Sequence, residues 1–426
     1  MMDLSHYADY SAYQDGMAPW LGKVPKEWNF TKAKWHLKHQ KRLNFDGKSD
    51  NVLSLTLRGV VNNDPDNPEG LIPKDYRTYQ VFETDDLVFK LIDLENVRTS
   101  RVGLVHEQGI MSSAYIRLVQ PTGWNPRFLY YYYFHLYQAE VFNKIGSGVR
   151  STLGQSDLLD LPIPVLSSET QSAIAAFLDD KCAKIDGAVK IKEDQIALLR
   201  ERRQIIIQDA VTRGLNPATT MKDSGIDWIG QIPAHWEVKR NKHMFVEINQ
   251  RSAKGTEQHL SMSQKLGLVP ANLVEKSLVS DSYEGAKLVQ PGDLVLNRLK
   301  AHLAVFSIAQ MEGLVSPDYS VFRPFVNGAS SQYYEALFKT SIFLGEFRLR
   351  VRGIVEGFYR LYTDSFMDIP LLIPPQPEQA EIVAHLDQLA VKFEAAISIK
   401  QDQIAAIKEY KTSLINAAVT GKIKVI

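Results

Sequence analysis

Apolar positions recur at alternating steps of four and three along the stretch from Glu169 to Arg213. The stretch has no proline and a single glycine, so nothing in it forces a helix to break. A pattern sustained over about four heptads is typical of a coiled coil rather than a plain surface helix. The predicted seam, which basic residues interrupt at Lys192 and Arg203, consists of Ile185, Val189, Ile196, Leu199, Ile206 and Ala210.

The same pattern returns near the C-terminus with a constant offset of 208 residues, as between Ile185 and Phe393. Its basic interruptions, Lys400 and Lys411, match those of the first copy, so we interpret the pair as an internal duplication rather than two unrelated amphipathic helices. A two-fold relation across the pair would require antiparallel helices, which the seam alone leaves open. The second seam consists of Phe393, Ile397, Ile404, Ile407, Leu414 and Ala418.

The duplication extends into the segments that precede the helices. Trp20 and Trp28 flank a Gly and a Pro, and Trp228 and Trp236 repeat that spacing, so we predict a small turn anchored by buried tryptophans. Short valine- and tyrosine-rich runs separated by turns follow in each half, together with one aromatic helix. The predicted fold class is α+β, with two pseudo-repeated mixed α/β globular domains separated by two long helices. The predicted boundaries are 1–166 and 228–374 for the domains, 167–214 and 375–421 for the helices, and 215–227 for a linker.

Composition restricts the class of protein. The chain has 426 residues, 45% of them hydrophobic and 23% charged, which is ordinary for a globular protein of two or three domains. A single cysteine, Cys182, excludes an intramolecular disulfide and a Cys-based zinc site. No apolar run is long enough for a signal peptide or a membrane span, so we expect a cytoplasmic protein. The 49 basic and 49 acidic residues argue mildly against nucleic-acid binding by bulk charge, although a basic face balanced by acids elsewhere is compatible with them.

Catalytic motifs are missing from the sequence. It contains no phosphate loop, no HExxH and no GxSxG. Gly146-Ser-Gly148 begins like a dinucleotide fingerprint, but Ser151 stands where that fingerprint needs a third glycine. The sequence therefore indicates a binding and scaffolding protein without an active site of its own.

Three stretches together resemble the specificity subunit of Type I restriction–modification enzymes. Glu169-Thr-Gln171 and Glu378-Gln379 open the two long helices, and Ala-Val-Thr-Arg-Gly and Ala-Val-Thr-Gly close them at Gly214 and Gly421. The run from Lys222 to Trp236 is also typical of the second half of that family. The resemblance covers essentially the whole chain.

The resemblance implies a non-catalytic DNA-recognition subunit. Each globular domain would be a target recognition domain that reads one half of a bipartite, asymmetric site in double-stranded DNA. The helices would form an antiparallel coiled coil that sets the spacer. They would also dock two methyltransferase subunits, which in turn bring motor-nuclease subunits. S-adenosylmethionine, ATP and Mg²⁺ would bind to those partners. The seam from Ile185 to Ala210 would span roughly 39 Å as a helix, close to one turn of DNA at about 34–36 Å.

Base edges are read by Arg, Lys, Asn and Gln side chains on loops or helices, and phosphates also accept Ser and Thr. The helix pair and its junctions with the domains are the predicted partner-binding surface, since the two halves share them. The predicted DNA contacts are Lys90, Arg98, Arg101, Lys144, Ser147 and Arg150 in the first domain and Asn297, Arg298, Lys300, Arg350, Arg352 and Arg360 in the second.

Two alternatives remain open at this point. A pseudo-dimeric coiled-coil scaffold that binds proteins without a role in DNA binding fits the seam and the duplication equally well. An enzyme with its site between the halves is disfavoured by the missing motifs. The basic seam residues either fix the register of the pair or extend to solvent at its edge.

Overall fold

Both long charged stretches are helical in the computed structural model, which describes residues 7–47, 49–64, 75–92, 94, 100–145, 152–264, 266–274, 282–325, 330–353 and 359–425. The helix predicted over 167–214 corresponds to Ser168–Arg213, and that predicted over 375–421 corresponds to Gln376–Val419. In chain order the helices are α1 (Pro126–Gln138), α2 (Val141–Ile145), α3 (Gln155–Leu159), α4 (Ser168–Arg213), α5 (Ser331–Phe338), α6 (Ser341–Arg350), α7 (Thr363–Met367) and α8 (Gln376–Val419).

The chain divides into two compact units. Unit 1 comprises Met1–Glu193 with Gln401–Ile426, and unit 2 comprises Asp194–Lys400. Each unit therefore contains one globular part, one segment of α4 and one segment of α8.

The globular part of unit 1 is built on a four-stranded antiparallel sheet in the order β4-β11-β8-β9, accompanied by four two-stranded pairs, β1-β2, β3-β12, β5-β6 and β7-β10. Its strands are β1 (Tyr13–Asp15), β2 (Lys23–Pro25), β3 (Asn29–Lys32), β4 (Lys38–His39), β5 (Leu53–Thr56), β6 (Gly59–Asn62), β7 (Gln80–Phe82), β8 (Leu87–Phe89), β9 (Val102–Leu104), β10 (Gly109–Met111), β11 (Ile116–Val119) and β12 (Pro162–Val165).

Unit 2 repeats this topology strand for strand. Its four-stranded sheet has the order β16-β23-β20-β21, and its pairs are β13-β14, β15-β24, β17-β18 and β19-β22. Its strands are β13 (Met221–Asp223), β14 (Gln231–Pro233), β15 (Glu237–Arg240), β16 (Phe245–Ile248), β17 (Leu260–Ser263), β18 (Gly267–Pro270), β19 (Lys287–Val289), β20 (Leu294–Asn297), β21 (Phe306–Ile308), β22 (Gly313–Val315), β23 (Tyr319–Pro324) and β24 (Pro370–Ile373).

The aromatic helix of each unit packs its ring-bearing face into the core. In α1, Phe128, Tyr132 and Tyr133 are fully buried, and in α5, Tyr333 and Phe338 are fully buried. Aromatic side chains of this size each remove a large apolar area from water. The aromatic segments are therefore core-forming elements rather than ligand cages.

The segments of the two long helices run antiparallel within each unit. In unit 1, Lys411 Nζ donates to both carboxylate oxygens of Asp186 at 2.7 Å, while Lys192 Nζ, further along α4, donates to Gln403 at 2.8 Å. In unit 2, Arg203 lies 3.9 Å from Glu394, and a Cβ at Gly214, just past the end of α4, would lie 2.9 Å from the side chain of Glu378. Since later residues of α4 meet earlier residues of α8, the predicted antiparallel pairing is confirmed. Three of the four basic seam residues thus reach polar partners from partly exposed positions at the edge of the seam.

Apolar seam positions are buried or half-buried in both helices. Leu414 and Ala418 are fully buried, and Ile185 is 9% exposed. Between these seam positions, apolar residues of α4 that face away from α8 are open to solvent, such as Ile191 at 60% and Leu198 at 63%. The four–three spacing therefore identifies the face of the helix that lies against its neighbour.

One buried glutamine joins the start of each long helix to the globular part. Gln171 accepts from the backbone N–H of Asn125 at 2.9 Å and donates to the carbonyl of Leu166 at 2.9 Å. Gln379 makes the same pair of bonds, to Ser330 N–H and to Pro374 O, at 3.0 and 2.9 Å. These two glutamines are the ones in the Glu-Thr-Gln and Glu-Gln motifs.

The tryptophan turn packs on the glycine that closes a long helix. Gly421 adopts φ +72°, and a Cβ there would lie 2.3 Å from Pro25 Cγ and 3.2 Å from Trp28. Gly214 in unit 2 similarly faces Trp236 at φ +78°. At Gly421 the backbone conformation and the close approach both require glycine, whereas at Gly214 the positive φ favours it and the 3.5 Å contact with Trp236 is ordinary.

The linker predicted over 215–227 is partly strand. Met221–Asp223 forms β13, which pairs antiparallel with Gln231–Pro233, and Lys222 Nζ donates to the carbonyl of Trp236 at 2.7 Å. Part of the predicted linker is therefore a strand of a hairpin of the second globular part, which begins earlier than the predicted residue 228.

Candidate nucleic-acid interface

In both units, described residues of two loops meet, and we call these residues the two-loop surface: 90–92, 94 and 152–154 in unit 1, and 297–300, 350–353 and 359–362 in unit 2. One loop follows β8 or β20, and the other precedes α3 or α7. In unit 1 the N–H of Leu153 donates to the carbonyl of Leu91 at 2.9 Å, and Asn143 donates to the carbonyl of Leu94 at 3.3 Å. In unit 2 the N–H of Leu361 makes the equivalent bond to the carbonyl of Arg298 at 2.9 Å.

Seven of the twelve predicted DNA contacts lie on this surface, namely Lys90 in unit 1 and all six candidates of unit 2. In unit 1, Lys90 is half-buried directly after β8, and Lys144 is exposed near the end of α2. Arg98, Ser147 and Arg150 lie outside the described residues. In unit 2 all six predicted positions are described. Asn297 ends β20, and Arg298 and Lys300 follow it. Arg350 ends α6, and Arg352 and Arg360 lie at the base of the second loop.

Arg101, which was predicted to contact DNA, is buried. Its residue is 1% exposed, and its Nη1 lies 3.5 Å from the carbonyl of Ile92. A side chain at that depth cannot reach a duplex while the loop keeps this conformation. We therefore remove Arg101 from the set of candidate contacts.

Asp318 holds two of the unit 2 arginines together. Arg298 Nε donates to the backbone carbonyl of Asp318 at 2.7 Å, and its Nη2 lies 3.5 Å from the carboxylate. Arg360 Nη2 lies 3.6 Å from the same carboxylate oxygen. Arg298 and Arg360 are partly buried, with side chains 21% and 33% exposed. The acid thus orients two planar donors toward one region, although nothing in the sequence marked it as functional.

The second loop of unit 2 is closed by its own backbone. Arg352 and Arg360 form an antiparallel bridge in which each N–H donates to the other carbonyl, at 3.0 and 2.9 Å. Arg352 is exposed and lies 3.8 Å from Asp364, while Arg350 donates to Glu346 at 2.5 Å. This bridge fixes the base of the loop that carries the arginines.

A partly buried polar network supports the same loops in unit 2. Lys287 is 4% exposed, with its Nζ 3.7 Å from Glu247, and Glu247 accepts from Thr363 at 3.1 Å directly after the second loop. Burial lowers the pKa of Lys287, and the charge of Arg298 lowers it further against the opposing effect of Glu247. In unit 1 the neutral Gln80 occupies the equivalent strand position and donates to the carbonyl of Tyr115 at 2.6 Å. Sequence reasoning missed this network because its members belong to distant segments.

The donor set of the two-loop surface suits recognition by hydrogen bonds. Arginine presents donors in a fixed planar fork that matches the O6 and N7 of guanine or a phosphate, and asparagine matches adenine. Asn297 is half-buried at the end of β20, where its side-chain oxygen accepts from the N–H of Leu299 at 3.2 Å.

The described residues include no group of three or more His, Cys, Asp or Glu side chains that could hold a metal ion. Burial raises the pKa of the Cys182 thiol, which disfavours the nucleophilic thiolate. No helix in the described part of the chain combines the length and the apolarity needed to cross a membrane.

Comparisons with known proteins find similarity to specificity subunits of Type I restriction enzymes. A family model described as the Type I restriction modification DNA specificity domain matches residues 58–195. A putative type I restriction enzyme MjaX specificity subunit from Methanocaldococcus jannaschii is 23% identical over 395 residues, covering 88% of this chain and 85% of the relative. The Type I restriction enzyme EcoKI specificity subunit from Escherichia coli is 25% identical over 283 residues, covering 63% of this chain and 58% of the relative.

The fold is similar to that of a solved chain. That chain comes from work described as the structural basis underlying complex assembly and conformational transition of the type I R-M system. The TM-score is 0.65 at 14% identity, and the match covers 93% of this chain and 98% of the solved one.

Proposed function

We infer that this chain, which belongs to the specificity subunits of Type I restriction–modification systems, recognises DNA through the two-loop surface of each unit. One observation supports the assignment of DNA recognition to the two-loop surface. The two units join their loops by the same backbone hydrogen bond, from Leu153 to Leu91 and from Leu361 to Arg298. The side chains on this shared frame differ, as expected for two surfaces that read different sequences.

The two units differ in the side chains at the loop positions that are proposed to contact bases. Thr152 stands in unit 1 where Arg360 stands in unit 2, directly before the leucine that donates the shared bond, and Leu91 stands where Arg298 stands. Unit 2 therefore offers two guanidinium groups at positions where unit 1 offers none. Each unit is proposed to read one half of a bipartite, asymmetric site, with the paired segments of α4 and α8 setting the spacer.

Chemistry is proposed to reside on other subunits. Two methyltransferase subunits are expected to dock on the helix pair and its junctions, and motor-nuclease subunits on those. S-adenosylmethionine, ATP and Mg²⁺ are proposed to bind to these partners. This division is consistent with the absence of catalytic motifs in the sequence.

The decisive test is a map of adenine methylation across the genome of the source cell, with and without this gene. The expected result is the loss of one two-part motif, which also gives both half-sites and the spacer. An unchanged map, although the chain co-purifies with an expressed and active methyltransferase, would refute the proposal.

Two variants test whether the two-loop surface of unit 2 contacts bases. Arg298→Ala and Arg360→Ala should each weaken binding of the assembled methyltransferase to its site by roughly tenfold to hundredfold. The loss should disappear against a duplex changed in the half-site that unit 2 reads. Lys239→Ala is the matched control, since Lys239 is an exposed lysine of β15 outside the two-loop surface. Equal losses for all three variants would indicate bulk charge rather than base reading.

A further inference from the structure

The junction between the globular part and the long helices is filled in unit 1 and hollow in unit 2. In unit 1, Tyr131 of α1 donates its hydroxyl to Asp179 of α4 at 2.9 Å, and Arg127 binds the same carboxylate. Tyr131 is 8% exposed, so its ring closes the junction. Burial raises the pKa of Tyr131 above its ordinary value, so the hydroxyl keeps its proton and can donate it to the carboxylate.

The internal repeat identifies the matching positions in unit 2. Tyr131 lies six residues after the N-cap Asn125, and Ala336 lies six residues after the N-cap Ser330. Asp179 lies eight residues after Gln171, and Asp387 lies eight residues after Gln379. Since the backbone N–H of each N-cap donates to the glutamine of the long helix, the two junctions share one frame.

Small side chains leave a pocket of about 420 Å³ at that position in unit 2. Ala336 replaces the tyrosine and Gln332 replaces the arginine. Ile207, Val383 and Leu386 provide an apolar wall, and the lining also includes Arg203, Glu335 and Lys339. Asp387 is exposed at the rim and has no hydrogen bond or ion pair in the part of the chain that the structure describes. The pocket thus lacks the ring and the hydroxyl that unit 1 supplies from its own chain.

We propose that this pocket receives a tyrosine side chain from a partner protein, whose hydroxyl donates to Asp387 as Tyr131 donates to Asp179. The inference rests on the proposed function, in which methyltransferase subunits dock on these junctions. The occupant is specified by what fills the same frame in unit 1. The other charged groups of the lining already have partners, since Lys339 donates to Glu335 at 2.5 Å and Arg203 lies 3.9 Å from Glu394. An apolar wall with Asp387 as its unpaired carboxylate acceptor suits a phenol better than an aliphatic or an anionic group.

The first test uses p-cresol, the side-chain analogue of tyrosine, with the full chain in the absence of partners and DNA. Saturable binding by ligand-observed NMR is expected at millimolar concentration or below. Asp387→Asn should weaken it about tenfold through loss of a charge-assisted hydrogen bond. Ala336→Tyr should abolish it, because the new ring fills the pocket. Ala218→Tyr, at an exposed turn, should leave it unchanged. Absence of binding, or binding that is insensitive to Ala336→Tyr, overturns the proposal.

The second test measures assembly with the methyltransferase subunit. Ala336→Tyr should raise the dissociation constant of the complex at least tenfold, while Ala218→Tyr should not. Thermal melting confirms that both variants are folded. Undiminished assembly of Ala336→Tyr overturns the partner assignment but leaves DNA recognition intact, whereas an unchanged methylation map would refute the proposed function independently of p-cresol.

Discussion

Substitution of Gln379 by methionine should selectively destabilise unit 2. The glutamine is 3% exposed and satisfies two backbone groups, the N–H of Ser330 and the carbonyl of Pro374. Methionine has nearly the same shape and bonds to neither group. A buried polar group left unsatisfied costs about 1–3 kcal/mol, so the expected loss is about 2–6 kcal/mol. A loss of that size would be a large fraction of the stability of a typical domain.

Hydrogen exchange followed by mass spectrometry at increasing urea is the suitable assay, because peptides from each unit report on that unit alone. Peptides of unit 2 should become unprotected at lower urea, and those of unit 1 should change less. Gln171→Met is the reciprocal variant and should produce the opposite pattern. Gln401→Met, at an exposed position of α8, should change neither unit by more than about 0.5 kcal/mol. If Gln379→Met behaves like Gln401→Met, the anchoring role is refuted.

Three further predictions concern stability. His135 is buried, and burial lowers its pKa from 6.5 to about 4. The free energy of unfolding of unit 1 should therefore fall by up to about 3 kcal/mol as the pH falls from 6.5 to 4. Urea titrations at several pH values should show this loss in the parent chain and not in His135→Phe. Gly421→Ala should cost more than about 2 kcal/mol in thermal melts, whereas Gly187→Ala, where a Cβ meets nothing within 4 Å, should stabilise α4 by about 0.5–1 kcal/mol. Lys411→Met should change stability by at most about 1 kcal/mol, because the ion pair with Asp186 is partly solvated; a larger loss would assign a structural role to this seam lysine.

Periodic features of the fold could be predicted from the sequence, and features that depend on depth or on distant segments could not. The seam positions and the offset of 208 residues identify the long helices and the duplication, since burial against one neighbour imposes a regular spacing. Gln171 and Gln379 were visible as motif residues, but their role needs the position of the aromatic helix. The strand Met221–Asp223 was not predicted, because the turn residues after a helix show where the helix ends and do not show which later segments pair as strands.

The candidate site shows the same limit. Arg101 carries the charge expected of a DNA contact, yet it is 1% exposed, and a charge pattern contains no information on depth. Asp318 could not be predicted from residue type, because a carboxylate repels a phosphate backbone. Its contribution becomes visible once Arg298 and Arg360 are seen to share it, at 3.5 and 3.6 Å.

Comparison of the two units distinguishes residues that maintain the fold from residues that vary. The glutamine anchors, the tryptophan turns and the closing glycines recur in both, and each lies where a long helix meets a globular part. The two-loop surface diverges around a backbone hydrogen bond that both units keep. Because that bond involves only main-chain atoms, side chains at positions such as Thr152 and Arg360 can change without loss of the frame. A substitution in these loops should therefore alter recognition at little cost in stability, whereas one at an anchor should alter stability first.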